Sequence, residues 1–200
     1  MEDHVVNYPV LEIFTSLQGE GFHMGKGATF IRLAGCNLRC SWCDTQAALD
    51  IAQAVEMNAK EIVFAYKIPH HHVVITGGEP TMYNLKPLVR ELHKLGKYVA
   101  IETNGTNPVP PEWGIDWITV SPKPQSNYTL QCKANELKYI VDDNFDIACI
   151  ATNAVDEGLT FLQVESGRPE SLQKAFNLIN QFPEKRLRLG VQLHKILGLR

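Results

Sequence analysis

Seven short apolar runs, each followed by a turn and several then by a more polar, amphipathic stretch, leave few folds open to this chain. The runs are 28–33, 73–76, 98–101, 117–120, 137–141, 160–164 and 187–191, all rich in β-branched and aromatic side chains. Segments of that kind read as strands buried on both faces. Helix patterns lie between several of them. Asn58 with Glu61 three residues later forms a capping box that opens a helix toward Tyr66. Residues 85–95 set Leu85, Leu88, Val89, Leu92 and Leu95 on one stripe, with Gly96 as the stop. Residues 172–182 repeat the pattern with Leu172, Ala175, Phe176 and Ile179, and Pro183 follows. Strands alternating with helices predict an α/β fold of parallel βα units. A closed eight-stranded barrel takes about 250 residues. With 200 residues and six or seven strands, the expectation is an incomplete, TIM-like barrel formed by a single domain over 1–200. Chemistry in such folds collects at the C-terminal strand ends.

Composition narrows the class. At 44% hydrophobic residues the chain can build a core, which excludes a disordered tail. Lys and Arg total 19 against 22 for Asp and Glu, a net charge of -3, so neither nucleic acid nor an anionic membrane is an expected partner. The opening MEDHVVNYPV is acidic and unlike a signal peptide, and no apolar run reaches membrane-spanning length, so a soluble, cytoplasmic protein is expected. Five cysteines, an odd number, argue against a disulfide framework. Cys36, Cys40 and Cys43 crowd together, and in a reducing compartment clustered thiols point to metal or redox chemistry. Cys132 and Cys149 stand alone and read as small core hydrophobes.

The strand ends carry the motifs. Cys36–Cys43 is CxxxCxxC, directly after the first run. Three thiolates can hold three irons of a 4Fe-4S cubane and leave the fourth iron open, whereas ferredoxin-type clusters have four cysteines. A structural zinc completed by His23 or His4, or a helix packing three cysteines on one face, also fits the spacing. Thr76-Gly77-Gly78-Glu79-Pro80 ends the 73–76 run, and its paired glycines either admit a ligand to the backbone or make a tight turn. Glu102-Thr103-Asn104-Gly105-Thr106 and Ser121-Pro122-Lys123 set polar groups where a ribose or carboxylate would lie, although both are also common turn signals. The His70-His71-His72 run precedes a strand and reads as loop rather than metal site.

CxxxCxxC, GGEP, ETNGT and SPK, each at a strand end, resemble the radical S-adenosylmethionine superfamily. Within it, the segment from Leu11 to Gly21, Phe30-Ile31-Arg32, Cys43-Asp44-Thr45 and Gln192–Lys195 resemble the 7-carboxy-7-deazaguanine synthase family, in order and over nearly the whole chain. The resemblance implies conversion of 6-carboxy-5,6,7,8-tetrahydropterin to 7-carboxy-7-deazaguanine with loss of ammonia, a step toward queuosine-type nucleosides. It implies Cys36, Cys40 and Cys43 as cluster ligands, S-adenosylmethionine on the open iron, and a 5′-deoxyadenosyl radical that takes hydrogen from C6 of the pterin. Thr76, Gly77, Gly78 and Glu79 would line the methionine end of that cofactor, and Thr103, Ser121, Lys123 and Gln163 its ribose or carboxylate, with Trp42 beside the cluster. Gln18, Gly19, Glu20, Arg32 and His194 would bind substrate, Arg32 through its carboxylate and Glu20 through its guanidine-like edge. Thr45 would meet Mg²⁺, with Asp44 the stronger ligand by charge. A homodimer and an electron donor such as flavodoxin or ferredoxin are also implied. Val164 stands after Gln163 where many relatives have proline. Taken alone, Gln18 and Glu20 fit a hairpin turn, Arg32 a strand ion pair, and His194 a C-terminal strand. A small radical activating enzyme would share the cluster motifs without needing this polar pocket.

Overall fold

The computed structural model describes residues 5–156 and 158–200, with Thr152 described by its backbone alone. Among the described residues nine strands form one sheet: β1 (Asn7–Leu17), β2 (Gly27–Leu33), β3 (Val55–Asn58), β4 (His72–Gly77), β5 (Tyr98–Thr103), β6 (Trp117–Val120), β7 (Glu136–Val141), β8 (Thr160–Val164) and β9 (Arg188–Gly190). Their order is β3-β1-β2-β4-β5-β6-β7-β8-β9, and the two end strands do not pair, so the barrel is open. From β2 onward every neighbour is parallel. These seven parallel strands are the seven apolar runs. The antiparallel β1 and β3 were not foreseen, because β1 mixes polar residues into its length and β3 is only Val-Glu-Met-Asn.

Three helices pack on the convex face: α1 (Ala59–Ala65), α2 (Lys86–Lys94) and α3 (Pro169–Gln181). Asn58 caps α1 as its sequence predicts, accepting from the Lys60 and Glu61 amides while Glu61 accepts from the Asn58 amide. In α2, Leu88, Val89 and Leu92 are buried against β4 and β5 in the larger core, with Ile31, Leu33, Val73, Ile75, Val99 and Ile101. The predicted face of α3 is a correction. Ser171 and Ala175 are buried, while Leu172 and Phe176 are 44% and 55% exposed. The cause is Ser171, whose hydroxyl donates to the Val141 carbonyl at 2.7 Å and accepts from the Glu165 amide at 2.8 Å, fixing the helix's rotation. Strict βα alternation also lapses between β5 and β8. Among the described residues those connections hold only 3₁₀ turns, one each after β5 and β6, opened by Pro111 and Pro124, and two after β7. A short α4 (Leu193–Ile196) follows β9, so His194 lies on a helical turn rather than a strand.

Residues alternate across each strand, and the concave face changes character from one end to the other. At the N-terminal ends of the strands His72, Tyr98 and Trp117, joined by Phe22 and His23 from the β1–β2 loop, make an aromatic floor. Ala28, Phe30, Val74 and Ala100 form the middle layer. Arg32, Thr76, Glu102, Ser121 and Lys138 lie above it, around an open cavity. No helix among the described residues is long and apolar enough to cross a membrane.

Candidate active site

The cavity at the C-terminal strand ends has a volume of about 420 Å³. Cys36, Cys40 and Cys43 line it from the loop after β2. All three are free thiols. The Cys36 sulfur accepts from the Leu38 amide at 3.4 Å, and the Cys40 thiol donates to Gln125 at the same distance. Burial raises the pKa of Cys36 and Cys40, so metal loading must drive their deprotonation. No three His, Cys, Asp or Glu among the described residues converge on a single-ion site. His23 cannot complete a zinc site with the cysteines, for it packs in the floor against His72 and Trp117. His4 lies outside the described residues. A cubane spreads its cysteines over three irons, so thiols facing a shared void suit it better than they suit one tetrahedral ion.

The GGEP turn anchors this loop. A Cβ on Gly77, whose φ is +138°, would lie 1.9 Å from the Leu33 carbonyl oxygen, and one on Gly78 2.0 Å from that of Gly35. The two glycines therefore admit the chain that leads into Cys36, with the Gly78 amide donating to Leu33 and that of Glu79 to Gly35. Glu79, expected beside the cofactor, is not among the residues that line the cavity. Its side chain is fully buried, accepting from the Thr81 and Asn104 amides and from the Thr81 and Thr103 hydroxyls. Gln163 also lies behind the cavity wall. It is 1% exposed, does not line the cavity, and both polar atoms of its side chain lack partners. Its amide oxygen lies 2.5 Å from where a Cβ on Gly190 would stand.

Thr76, Gly77, Gly78, Thr103, Ser121, Lys123 and Trp42 all reach the cavity. Lys123 donates to the Ser121 hydroxyl at 2.6 Å and lies over the Trp42 ring, 5.1 Å from its centroid. Burial, reinforced by nearby Lys138, lowers its pKa to about 8. Trp42 in turn donates to Asp142 at 3.0 Å.

Opposite stand Gln18, Gly19, Glu20, Arg32, Thr45 and His194. Arg32 makes the ion pair its strand position foreshadows, Nε to Glu12 at 2.8 Å, and a longer contact to Thr45 at 3.4 Å, yet it still faces the cavity. A Cβ on Gly19 would fall 2.0 Å from His194 Nδ1, so a glycine there makes room for the α4 histidine. Asp44 accepts from Lys195 at 2.7 Å and Gln192 at 2.9 Å. Burial would raise its pKa, but these two donors outweigh it and keep Asp44 ionised. Reading the sequence missed Glu102 and Lys138, an ion pair in this wall. Lys138 donates to Glu20 and, at 2.8 Å, to Glu102. Glu102 opens the ETNGT motif, but Lys138 sits inside an apolar run and had no local signal. Burial alone would lower the Lys138 pKa, and Glu102 with Glu20 reverses this and holds it well above the ordinary lysine range.

An open parallel barrel with three thiols on the loop after its first parallel strand defines a radical S-adenosylmethionine enzyme, and residues 30–121 match the model described as Radical SAM superfamily. The chain is 38% identical to the 7-carboxy-7-deazaguanine synthase of Synechocystis sp. over 98% of its length and 95% of the relative's. It is 40% identical to that of Bacteroides thetaiotaomicron, covering 94% and 97%. The crystal structure of QueE from Escherichia coli superposes with a TM-score of 0.73 at 29% identity, covering 94% of this chain and 95% of that one. The chain belongs to the 7-carboxy-7-deazaguanine synthase family. Membership brings with it a 4Fe-4S cluster and S-adenosylmethionine, and the free thiols around a common void fit such a cluster.

Proposed function

We propose that this chain converts 6-carboxy-5,6,7,8-tetrahydropterin to 7-carboxy-7-deazaguanine with release of ammonia. The observation that carries the reading is one cavity with two unlike walls: thiols and the GGEP turn on one side, Gln18, Glu20, Glu102, Arg32 and His194 on the other. Cys36, Cys40 and Cys43 would hold the cluster, with Thr76, Gly77, Gly78, Thr103, Ser121, Lys123 and Trp42 around the sulfonium cofactor. When bound, cluster and cofactor supply the radical that begins the ring contraction. The protein's own work is to orient C6 of the pterin and exclude water. Lys123 offers a rotatable cation for a carboxylate. Arg32 carries five N–H donors in a planar fork, suited to the substrate carboxylate even while Nε holds Glu12. Glu20 and Glu102 can only accept when ionised, which matches the N–H-rich edge of an aminopyrimidinone. Thr45 and Asp44 offer hard oxygens 3.3 Å apart for Mg²⁺ beside that carboxylate. A flavodoxin or ferredoxin would deliver the electron, and a homodimer in the cytoplasm is the expected form.

The rival, a glycyl-radical activating enzyme, must admit a loop of a partner protein. A cavity of about 420 Å³ walled by paired charges suits a small polar heterocycle better. The test is anaerobic turnover of reconstituted protein with dithionite, S-adenosylmethionine, Mg²⁺ and the carboxytetrahydropterin, followed by mass spectrometry. A deazaguanine carboxylate with ammonia is expected. Cofactor cleavage without that product would discard the substrate assignment and keep the class. Cys40→Ala is expected to leave the purified protein without its full iron and sulfide.

A further inference from the structure

Lys138 is an unusual residue for its position. It projects from the middle of β7 with 7% of its side chain exposed, and it meets two carboxylates from distant elements: Glu20 from the β1–β2 loop and Glu102 from the end of β5. Each carboxylate uses one oxygen on Lys138 and the other on an amide. Glu102 accepts from Gln18 at 3.0 Å, and Glu20 from Gln192 at 2.8 Å. The Glu20 backbone amide closes the ring by donating to the Gln18 side-chain oxygen at 3.2 Å. All five residues line the cavity.

A buried ion triad is poor value as a stabilising device, because apolar residues of the same volume stabilise a fold as well or better. Its position in the cavity wall gives a different reason for it. Glu20 and Glu102 both reach one ammonium, and without it they would share a proton, with Arg32 on β2 and Lys123 after β6 the remaining cations that act on them. A protonated carboxyl is a donor, and it would confront the donors of a bound aminopyrimidinone.

We propose that Lys138 is a positioning residue, bracing Glu20 and Glu102 as a fixed pair of charged acceptors for the N–H-rich edge of the substrate. The inference rests on the pterin reading of the cavity. Lys138 need not touch the pterin; it sets the sign of the surface that does.

The experiment is calorimetric binding of the carboxytetrahydropterin to cluster-loaded wild-type and Lys138→Met protein, from roughly pH 5.5 to 8.5, with iron content and thermal unfolding recorded alongside. Without the ammonium, Kd rises about 10- to 100-fold at the acidic end, as one or two hydrogen bonds to charged acceptors are lost. It then recovers as pH rises and the carboxylate pair gives up its shared proton. Wild-type protein lacks that recovery. Lys138→Arg, which keeps the cation, binds closer to wild type than Lys138→Met does. An unchanged Kd, or a rise in Kd equal at every pH, overturns the proposal, since a merely structural lysine would give one of these. If Lys138→Met fails to fold, Lys138→Met/Glu102→Gln removes one charge of each sign. That variant is expected to bind at least 10-fold more weakly, and wild-type affinity in it overturns the proposal. Wild-type protein that neither binds nor converts the pterin would instead count against the substrate assignment itself.

Discussion

At the residue scale, Glu79 shows how one side chain of a motif can frame the site around it. Of its four hydrogen bonds, two hold Thr81 and two tie the end of β4 to Thr103 and Asn104 at the end of β5. Asn104 passes the constraint on, donating to Asn37 inside the cysteine loop at 2.9 Å. Glu79→Ala leaves two buried amides without an acceptor. A loss of about 3–5 kcal/mol in chemical denaturation of the apo protein is expected. A loss near zero would mean that Glu79 is not the hub described. The cysteines, the glycines and Arg32 were legible because each is chemically distinctive and sits in a compact motif. Lys138 was not, because its partners are 36 and 118 residues away and only the sheet brings them together.

At the element scale, the parallel strands were legible because both of their faces are mostly apolar. β1 escaped notice because it lies at the antiparallel end of the sheet, where one face meets the cavity and its charges. α3 shows how a hydrophobic stripe can mislead. Leu172 and Phe176 look like core residues, but a serine anchored to the Val141 carbonyl outweighs them in setting the helix's rotation. Ser171→Ala is accordingly expected to cost about 1–3 kcal/mol in unfolding free energy. Leu172→Ala should stay within about 0.5 kcal/mol, the range of ordinary surface changes. The reverse order would restore the stripe predicted from sequence.

At the scale of the whole molecule, the barrel's two ends respond differently to acid. In the aromatic floor His72 and His23 are buried, and His72 Nε2 and His23 Nδ1 have no partner. Burial, with lesser repulsion from His23, Lys26 and His71, lowers the His72 pKa from 6.5 to about 4, and burial with Lys26 lowers that of His23. The unfolded chain therefore binds these protons more tightly than the folded one. Their contribution to stability is whole above pH 6.5 and is lost as pH falls toward about 4. Thermal unfolding across that window should show the decline, and His72→Phe should flatten it.

The far wall of the cavity has a further consequence, set by the order in which the chain is made. Gln192 bonds Asp44 across 148 residues of sequence, and α4 supplies the histidine that fills the space over Gly19. At ribosomal speeds of about 5–20 residues per second, roughly 7–30 s separate the emergence of the cysteine loop from that of the segment that walls it in. During that interval the nascent protein presents three thiols on an unfinished site. The cell must keep them reduced, and away from stray metal, before the enzyme has anywhere to place a substrate.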